Sequence, residues 1–271
     1  MSNVAPGPLG VPEVWDAIAG SYAKDVTPFF AMYADEALRI VGVGPSFRVL
    51  DVASGPGTLT FLAAPRVARV TAVDFSPKMI DELKSRAARD GVSNVEAQVM
   101  DAQALDFAEE TFDAAFCLFA FMFFPDRAQA FREMRRVVRD GGKALVATWA
   151  PIERRPFLKI AFDAMAEAIP GLPPMPKGDL QQPEACIEEM SAAGFRDVSV
   201  YPFTGSLRID SAEHLLQTME RSGAGFAALR KRVGEAGWPN VQKRLLEGIA
   251  RRIPEGGADF TADALLTVGS R

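Results

Sequence analysis

Few residues in this chain have the chemistry to hold or transform a ligand, and they are regularly placed. Asp51, Asp74, Asp101 and Cys117 each stand at or near the end of a short apolar run. A carboxylate at such a position accepts hydrogen bonds. Asp74 can take both hydroxyls of a ribose and Asp101 an exocyclic amine, so the pair suits an adenosine. After Asp51 comes the small-residue turn Ala53-Ser54-Gly55-Pro56-Gly57. Gly55 and Gly57 permit backbone geometry and close ligand approach that a Cβ would obstruct. Acid–base candidates are scarce. The single histidine, His214, follows Ser211-Ala-Glu near a helix start, where a solvated or packing role competes with that of general base. No His pair and no carboxylate cluster accompanies Cys117 or Cys186, so no metal site is expected, and Cys117 reads as an inert core residue.

The elements that must position these residues alternate strand and helix from Phe47 onward, the pattern of a parallel sheet with crossover helices. Strands are expected at 47–51, 69–74, 94–100, 112–119 and 143–149. Helices are expected from Gly57 to near Pro65, over 78–89 behind an N-cap at Ser76, and over 126–139. In a parallel sheet the carboxyl ends of the strands share one edge, so residues roughly 70 positions apart can line one crevice. Ahead of this region a Pro/Gly-rich start, 1–12, reads as a mobile tail. Val14, Trp15, Ile18 and Tyr22 then fall at helical spacing, and a second helix runs from about 28 to 41. After Trp149 the expectation is a helix at 156–168, a Pro-rich loop at 170–183, a helix to 193 and a strand at 198–203. Helices follow at 211–221, 226–236 and 241–252, then a last strand at 262–268. That strand is expected to return beside the fifth, antiparallel to the others.

Composition limits the partners. An apolar fraction of 48% over 271 residues supplies a substantial core. A net charge of -5 argues against nucleic acid or an anionic membrane as partner, since both reward a basic surface. Two cysteines give no disulfide framework, in keeping with a reducing cytosol. Met1 to Pro12 lack the features of a signal peptide. The longest apolar run, 114–125, falls short of the roughly 20 residues that span a bilayer. A cytoplasmic protein is expected.

Taken together, Val49-Leu-Asp-Val-Ala-Ser-Gly-Pro-Gly57, Val70-Thr-Ala-Val-Asp-Phe-Ser-Pro-Lys-Met79, Met100-Asp-Ala102, Phe112-Asp113 and Met122-Phe-Phe-Pro-Asp126 resemble the class I S-adenosylmethionine-dependent methyltransferases. The similarity is to the small-molecule group that includes the ubiquinone and menaquinone biosynthesis C-methyltransferases, and it runs from about Trp15 to Trp149. The fold it implies is Rossmann-like: α/β, a seven-stranded, mostly parallel sheet with an antiparallel last strand and helices on both faces. The chain would be one domain over 1–271, with an N-terminal helical lid at 1–44, a core at 45–203 and 259–271, and a helical cap at 204–258.

The resemblance also assigns roles around S-adenosyl-L-methionine, whose product is S-adenosyl-L-homocysteine. The turn Ala53, Ser54, Gly55 and Gly57 would approach its methionine part, with Asp51 orienting the turn or a water near the amine. Asp74 would hold the ribose, Phe75 and Met79 would flank the adenine, and Asp101 with the Ala102 amide would read its edge. Tyr22 stands either in the core or near the cofactor carboxylate. Where the family has its first turn glycine, this chain has Ala53. Of the phenylalanines leading out of the fourth strand, Phe119 is placed at the cofactor. Phe121 and Phe123, with Trp149 opposite, are placed around a small, partly apolar acceptor. Methyl transfer by in-line displacement requires chiefly alignment and exclusion of water. Two alternatives stand beside it: an NAD-dependent oxidoreductase, disfavoured because Ala53 and Thr58 occupy two of the three glycine positions of that turn, and a cofactor-binding module without turnover.

Overall fold

A computed structural model describes residues 7, 9–171 and 179–271 of the chain; the expected tail at 1–6 and 8, and the middle of the expected Pro-rich loop, lie outside the described residues. Three helices come first, α1 (Pro12–Asp16), α2 (Ala19–Asp25) and α3 (Thr27–Val41). Gly42 ends α3 in the left-handed region, φ 73°, with its N–H donated to the Leu38 carbonyl. The alternating part follows as β1 (Arg48–Val52), α4 (Thr58–Ala63), β2 (Arg69–Asp74), α5 (Pro77–Arg89), β3 (Val95–Val99), β4 (Phe112–Leu118), α6 (Arg127–Val137) and β5 (Val138–Trp149). The remainder is α7 (Pro156–Ala168), α8 (Pro183–Ala192), β6 (Arg196–Ile209), α9 (Ala212–Ser222), α10 (Ala224–Val233), α11 (Trp238–Ala250) and β7 (Ala258–Ser270). Side-chain caps fix the starts of the helices that border the sheet edge. Ser76 accepts from the Met79 amide at 3.2 Å and Asp126 from the Gln129 amide at 2.9 Å. Among the described residues no helix is long and apolar enough to cross a membrane.

The seven strands form one sheet in the order β3-β2-β1-β4-β5-β7-β6. β1 is central and pairs parallel on both sides, Leu50 facing Thr71 of β2 and Ala115 of β4. Because helices cover both faces, β1 is buried over Val49–Val52 and shows no alternation of polarity. β7 runs antiparallel to both neighbours, β5 and β6, which is the return beside the fifth strand that the sequence led us to expect.

The long strands depart from expectation. β5 begins at Val138 rather than 143, because a bulge lets Val138 pair with Phe112 before Lys143 pairs with Ala114. Gly142 is needed there, since a Cβ would lie 2.7 Å from both the Asp113 carbonyl and Val138 Cγ1. β6 and β7 continue past the end of β5, pairing out to Ile209 and Ala258. Thr204-Gly-Ser-Leu-Arg-Ile has the mixed polarity of a loop. It forms a strand because α3 covers one side of the resulting ribbon. Tyr33, fully buried on α3, donates its hydroxyl to the Ala262 carbonyl at 2.7 Å, and Gly205 lies beneath the ring.

A Cβ at Gly205 would fall on Tyr33 Oη. Gly205→Ala is therefore expected to cost about 1–3 kcal/mol, as overpacked cores do, read as a lower urea midpoint at unchanged m-value. A wild-type midpoint would show that α3 is not seated on this ribbon.

Candidate active site

Along the carboxyl ends of β1 to β4 lies a cavity of about 330 Å³. Ala53 and Gly55 from the first turn, Asp74 and Phe75 after β2, Met79 of α5, and Asp101 and Ala102 after β3 form one wall. Phe119 and Ala120 after β4 form the next. Trp15 and Tyr22 of the N-terminal helices, with Phe123, lie across it. Parallel pairing makes this convergence unavoidable, since each strand delivers its next residue to the same edge.

Asp74 organises the wall. Its Oδ2 accepts from the Gly55 amide at 2.8 Å and its Oδ1 from the Ser76 amide at 2.9 Å, which ties the turn after β1 to the cap of α5. The carboxylate lines the cavity and retains acceptor capacity beyond these bonds. Burial pushes the Asp74 carboxyl up to about 6, against the pull of those backbone donors. Burial, and then the Asp74 charge, also hold the Tyr22 phenol well above its ordinary range, so it is a neutral hydrogen-bond donor at the cavity wall. Asp101 accepts from the Gln103 amide at 2.9 Å and from Gln103 Nε2 at 3.1 Å. Gln103 Oε1 in turn accepts from the Asp126 amide at 2.7 Å, joining the end of β3 to the start of α6.

Two wall residues occupy backbone conformations that side chains avoid. Ala53 has φ 52° and Phe119 φ 60°, each costing about 1–2 kcal/mol for an L-residue. The first explains why a related turn carries glycine at this place. Asp16 reaches from α1 to the start of α5, its Oδ1 accepting from Ser76 Oγ at 2.6 Å and from the Lys78 amide at 3.1 Å. A carboxylate at a helix N-terminus is favourable, so α1 is latched over the cavity by an ionic cap.

The structure brings together Tyr22, Ala53, Gly55, Asp74, Phe75, Met79, Asp101, Ala102, Phe119 and Phe123 on the cavity wall. Other residues expected at the site are elsewhere. Asp51 is buried behind the turn, where it caps α4 by accepting from the Thr60 amide at 3.0 Å and hydroxyl at 2.6 Å; burial pushes its carboxyl up to about 7. Ser54 donates its amide to the Val73 carbonyl and Gly57 is the N-cap of α4, so neither lines the cavity. Phe121 is a core residue, its ring 4.1 Å from that of Phe131, because the short helical turn after β4 points it inward. Trp149 stacks behind Phe119 at 4.1 Å and does not line the cavity. His214 is also elsewhere. It stands outside the cavity in the first turn of α9, its imidazole 43% exposed and its Nδ1 accepting from the Asp210 amide at 3.2 Å; the Ser211 cap that starts the helix fixes it there.

Other wall residues escaped the sequence. Leu9 and Gly10, expected in a mobile tail, line the cavity, and the Trp15 indole donates to the Leu9 carbonyl at 2.9 Å. Trp15 was legible only as part of an amphipathic face, seven positions before Tyr22, which the resemblance sets either in the core or near the cofactor carboxylate. Acceptors for ribose and amine, apolar surfaces for a flat ring and a surplus of negative charge together fit an adenosine carrying a positive centre.

Residues 49–142 match a family described as "Methyltransferase domain". The protein Rv1405c of Mycobacterium tuberculosis is 36% identical over 130 residues, 48% of this chain and 47% of its own length; the chain thus spans about half of the first curated relatives it matches. The aklanonic acid methyltransferase DauC of a Streptomyces species is 27% identical over 84% of this chain and 96% of that protein. Among solved structures, the [4+2]-cyclase SpnF superposes with a TM-score of 0.63 at 18% identity, over 98% of this chain and 97% of that one. Residues 49–142 thus match a methyltransferase domain, and the whole chain shares the fold of the solved structures it superposes on.

Proposed function

We propose that the protein transfers the methyl group of S-adenosylmethionine to a small, partly apolar acceptor. The observation that carries this reading is the meeting of Asp74 and Asp101 on one cavity wall opposite Tyr22, within a chain whose matched segment is a methyltransferase domain. In this reading Asp74 accepts the ribose hydroxyls, Asp101 and the Ala102 amide read the adenine edge, and Phe75 and Met79 hold its faces. The turn at Ala53 and Gly55 and the Tyr22 phenol bound the methionine part. The alternative of a nicotinamide dinucleotide finds no support in the family match, and only Gly55 of its three glycines is present. A cyclase among the fold neighbours shows that the fold alone does not fix the chemistry. DauC, whose name gives a small organic acid as substrate, favours a metabolite acceptor.

S-adenosylmethionine supplies, when bound, an electrophilic methyl on a sulfonium. The residues of the chain supply the rest. The buried negative charge of Asp74 favours a cationic ligand in a medium of low polarity, where the attraction is stronger than in water. Trp15 and Phe123, in contact with ring centroids 5.4 Å apart, close the outer side and exclude water. No histidine or lysine lines the cavity among the described residues, so the acceptor is expected to bring its own nucleophilic atom in reactive form. We assign α1 and α2 as a lid, since Trp15 and Tyr22 line the cavity.

Binding is tested by calorimetry with S-adenosylhomocysteine, S-adenosylmethionine and NAD, and turnover by methyl transfer to a panel of metabolites. Asp74→Asn is expected to weaken S-adenosylmethionine binding about tenfold or more, as loss of a charged acceptor does; unchanged affinity removes the ribose assignment.

The raised carboxyls set a pH dependence. A carboxyl whose folded pKa exceeds its unfolded value of about 4 binds its proton more tightly in the folded state. Its stabilising contribution is complete below that value and is lost as pH rises through about 6 for Asp74 and about 7 for Asp51. The ligand-free protein should accordingly melt higher at about pH 5.5 than at about pH 8. Cofactor affinity should run the other way, falling below about pH 6 as Asp74 takes up its proton. Parallel pH trends for melting and affinity would contradict this assignment.

Asp16→Ala removes the cap that holds α1 to α5. A loss of about 1 kcal/mol in stability is expected, together with several-fold faster release of S-adenosylhomocysteine in stopped flow. Unchanged release would show that α1 does not gate the cavity.

A further inference from the structure

Behind the cavity stands a cluster of rings that ends on an unpartnered cation. Phe119, on the cavity wall, stacks on Trp149 at 4.1 Å and 27°. Around Trp149 lie Phe30 at 5.7 Å and Tyr33 at 5.5 Å, both from α3. Arg155 places its guanidinium carbon over the indole, 5.5 Å from the ring centre. Arg155 is only 6% exposed, and its Nε is buried with no hydrogen-bond partner.

Burial and the helix end both disfavour this arginine, and the exposed Glu153 and the Trp149 ring favour it. Burying a guanidinium without a counter-ion forfeits hydration that nothing in the interior replaces. Among the described residues no carboxylate forms an ion pair with it: Asp263 is taken by Arg154 at 2.7 Å and by Thr204 at 2.8 Å, and Glu153, whose charge acts on Arg155, is exposed and makes no contact of ion-pair length with it. Arg155 is also the N-cap of α7, a thirteen-residue helix. The positive end of a helix dipole repels a cation and attracts an anion. Pro156 occupies the first helical position, and no side chain caps that end. Favourable are the cation–π contact with Trp149, about 2 kcal/mol when desolvated, and the solvent-screened charge of Glu153. Burial accordingly depresses the guanidinium to about 10. An anion at this point would satisfy the orphaned Nε, neutralise the buried charge and complement the uncapped helix end at once.

We infer that Arg155 is the anion-recognising residue of the acceptor pocket, and that the acceptor is a planar, largely apolar molecule bearing a delocalised oxyanion, a carboxylate or an ionised enol or phenol. The inference rests on the methyl-transfer reading and deepens it. Phe119 stands between the cavity and this cluster, so a flat acceptor reaches the guanidinium by displacing the Phe119 ring and replacing its contacts with Trp149. The planar fork of an arginine matches an oxyanion in two-point hydrogen bonding. Arg155 is in this view a specificity residue, not a catalytic one.

The test uses the full chain saturated with S-adenosylhomocysteine, whose own binding is measured first; a protein that fails to bind it refutes the cofactor reading and not this one. The probes are 2-naphthoate, its neutral isostere 2-naphthamide, and 2,4-dinitro-1-naphtholate, an ionised phenol without a carboxyl group. Wild type is expected to bind at least one of the two anions about tenfold or more tightly than the amide, as a charge-assisted pair provides. Which anion is preferred separates carboxylate from phenolate. Arg155→Met should erase the preference while S-adenosylhomocysteine binding stays as in wild type, and its ligand-free melting temperature should hold or rise, because an unpaired buried cation has been removed. Arg155→Lys, which keeps the charge without the fork, should retain part of the preference. Equal binding of amide and anions by wild type, no binding of any of them, a preference that survives in Arg155→Met, or a melting temperature that falls by several degrees in that variant each overturns the assignment.

Discussion

The site depends on one buried carboxylate that is shared between two amides. Asp74 accepts from Gly55 on one side and from Ser76 on the other, so the turn after β1, the end of β2 and the cap of α5 become one rigid corner. Without that acceptor two amides at a sheet edge would lack partners, a cost of about 1–3 kcal/mol each. The same carboxylate is held in a desolvated position where its pKa climbs. A group that builds the corner therefore also gives the cavity its charge. Structure and recognition are not separable at this residue, and a cation that replaces the lost hydration is the natural complement.

Around that corner the protein tolerates backbone strain. Ala53 and Phe119 are in the left-handed region, and both face the cavity. For Ala53 the reason is geometric: the chain must reverse between β1 and α4 while presenting its amides to Asp74, and an alanine accepts the conformation that glycine adopts freely. For Phe119 the backbone turn swings a large ring out of the strand and onto Trp149. That ring is the partition between the cavity and the aromatic cluster in front of Arg155. A residue held in such a conformation persists only where its surroundings over-determine it, and here Trp149, Phe30 and Tyr33 all pack against it.

The sheet edge was legible in the sequence because parallel pairing converts chain order into position. Once strands were recognised before Ala53, at Asp74, at Asp101 and at Phe119, no other arrangement would leave those residues apart. The resemblance added the identity of the ligand to that geometry. What the sequence concealed were the contributions of elements that cross the edge. Leu9 and Gly10 reach the cavity because Trp15 binds the Leu9 carbonyl, a contact that no local pattern announces. Phe121 and Phe123 lie two positions apart and were grouped as one cluster. The short helical turn after β4 sends the first into the core and leaves the second at the wall, a difference set by two or three dihedral angles. His214 was considered because of its chemistry alone, and the capping that governs its placement draws it to the surface.

The side proposed to meet the acceptor follows a different rule from the side proposed to meet the cofactor. The proposed cofactor contacts come from consecutive strand ends, whose convergence the parallel sheet dictates. The aromatic cluster draws on α3, the end of β4, the end of β5 and the ribbon of β6 and β7, elements far apart in sequence. Its position is set by Tyr33, whose hydroxyl binds Ala262 and whose ring sits over Gly205. Substitution there changes the acceptor pocket without disturbing Asp74 or Asp101. An arrangement of this kind lets one half of the site stay constant while the other is reshaped. Arg155 belongs to the variable half, just past the last residue of β5, at a helix end that the fold requires but whose charge the fold does not. A cation retained at that end against both burial and the helix dipole is explained by what it binds, and not by what it supports.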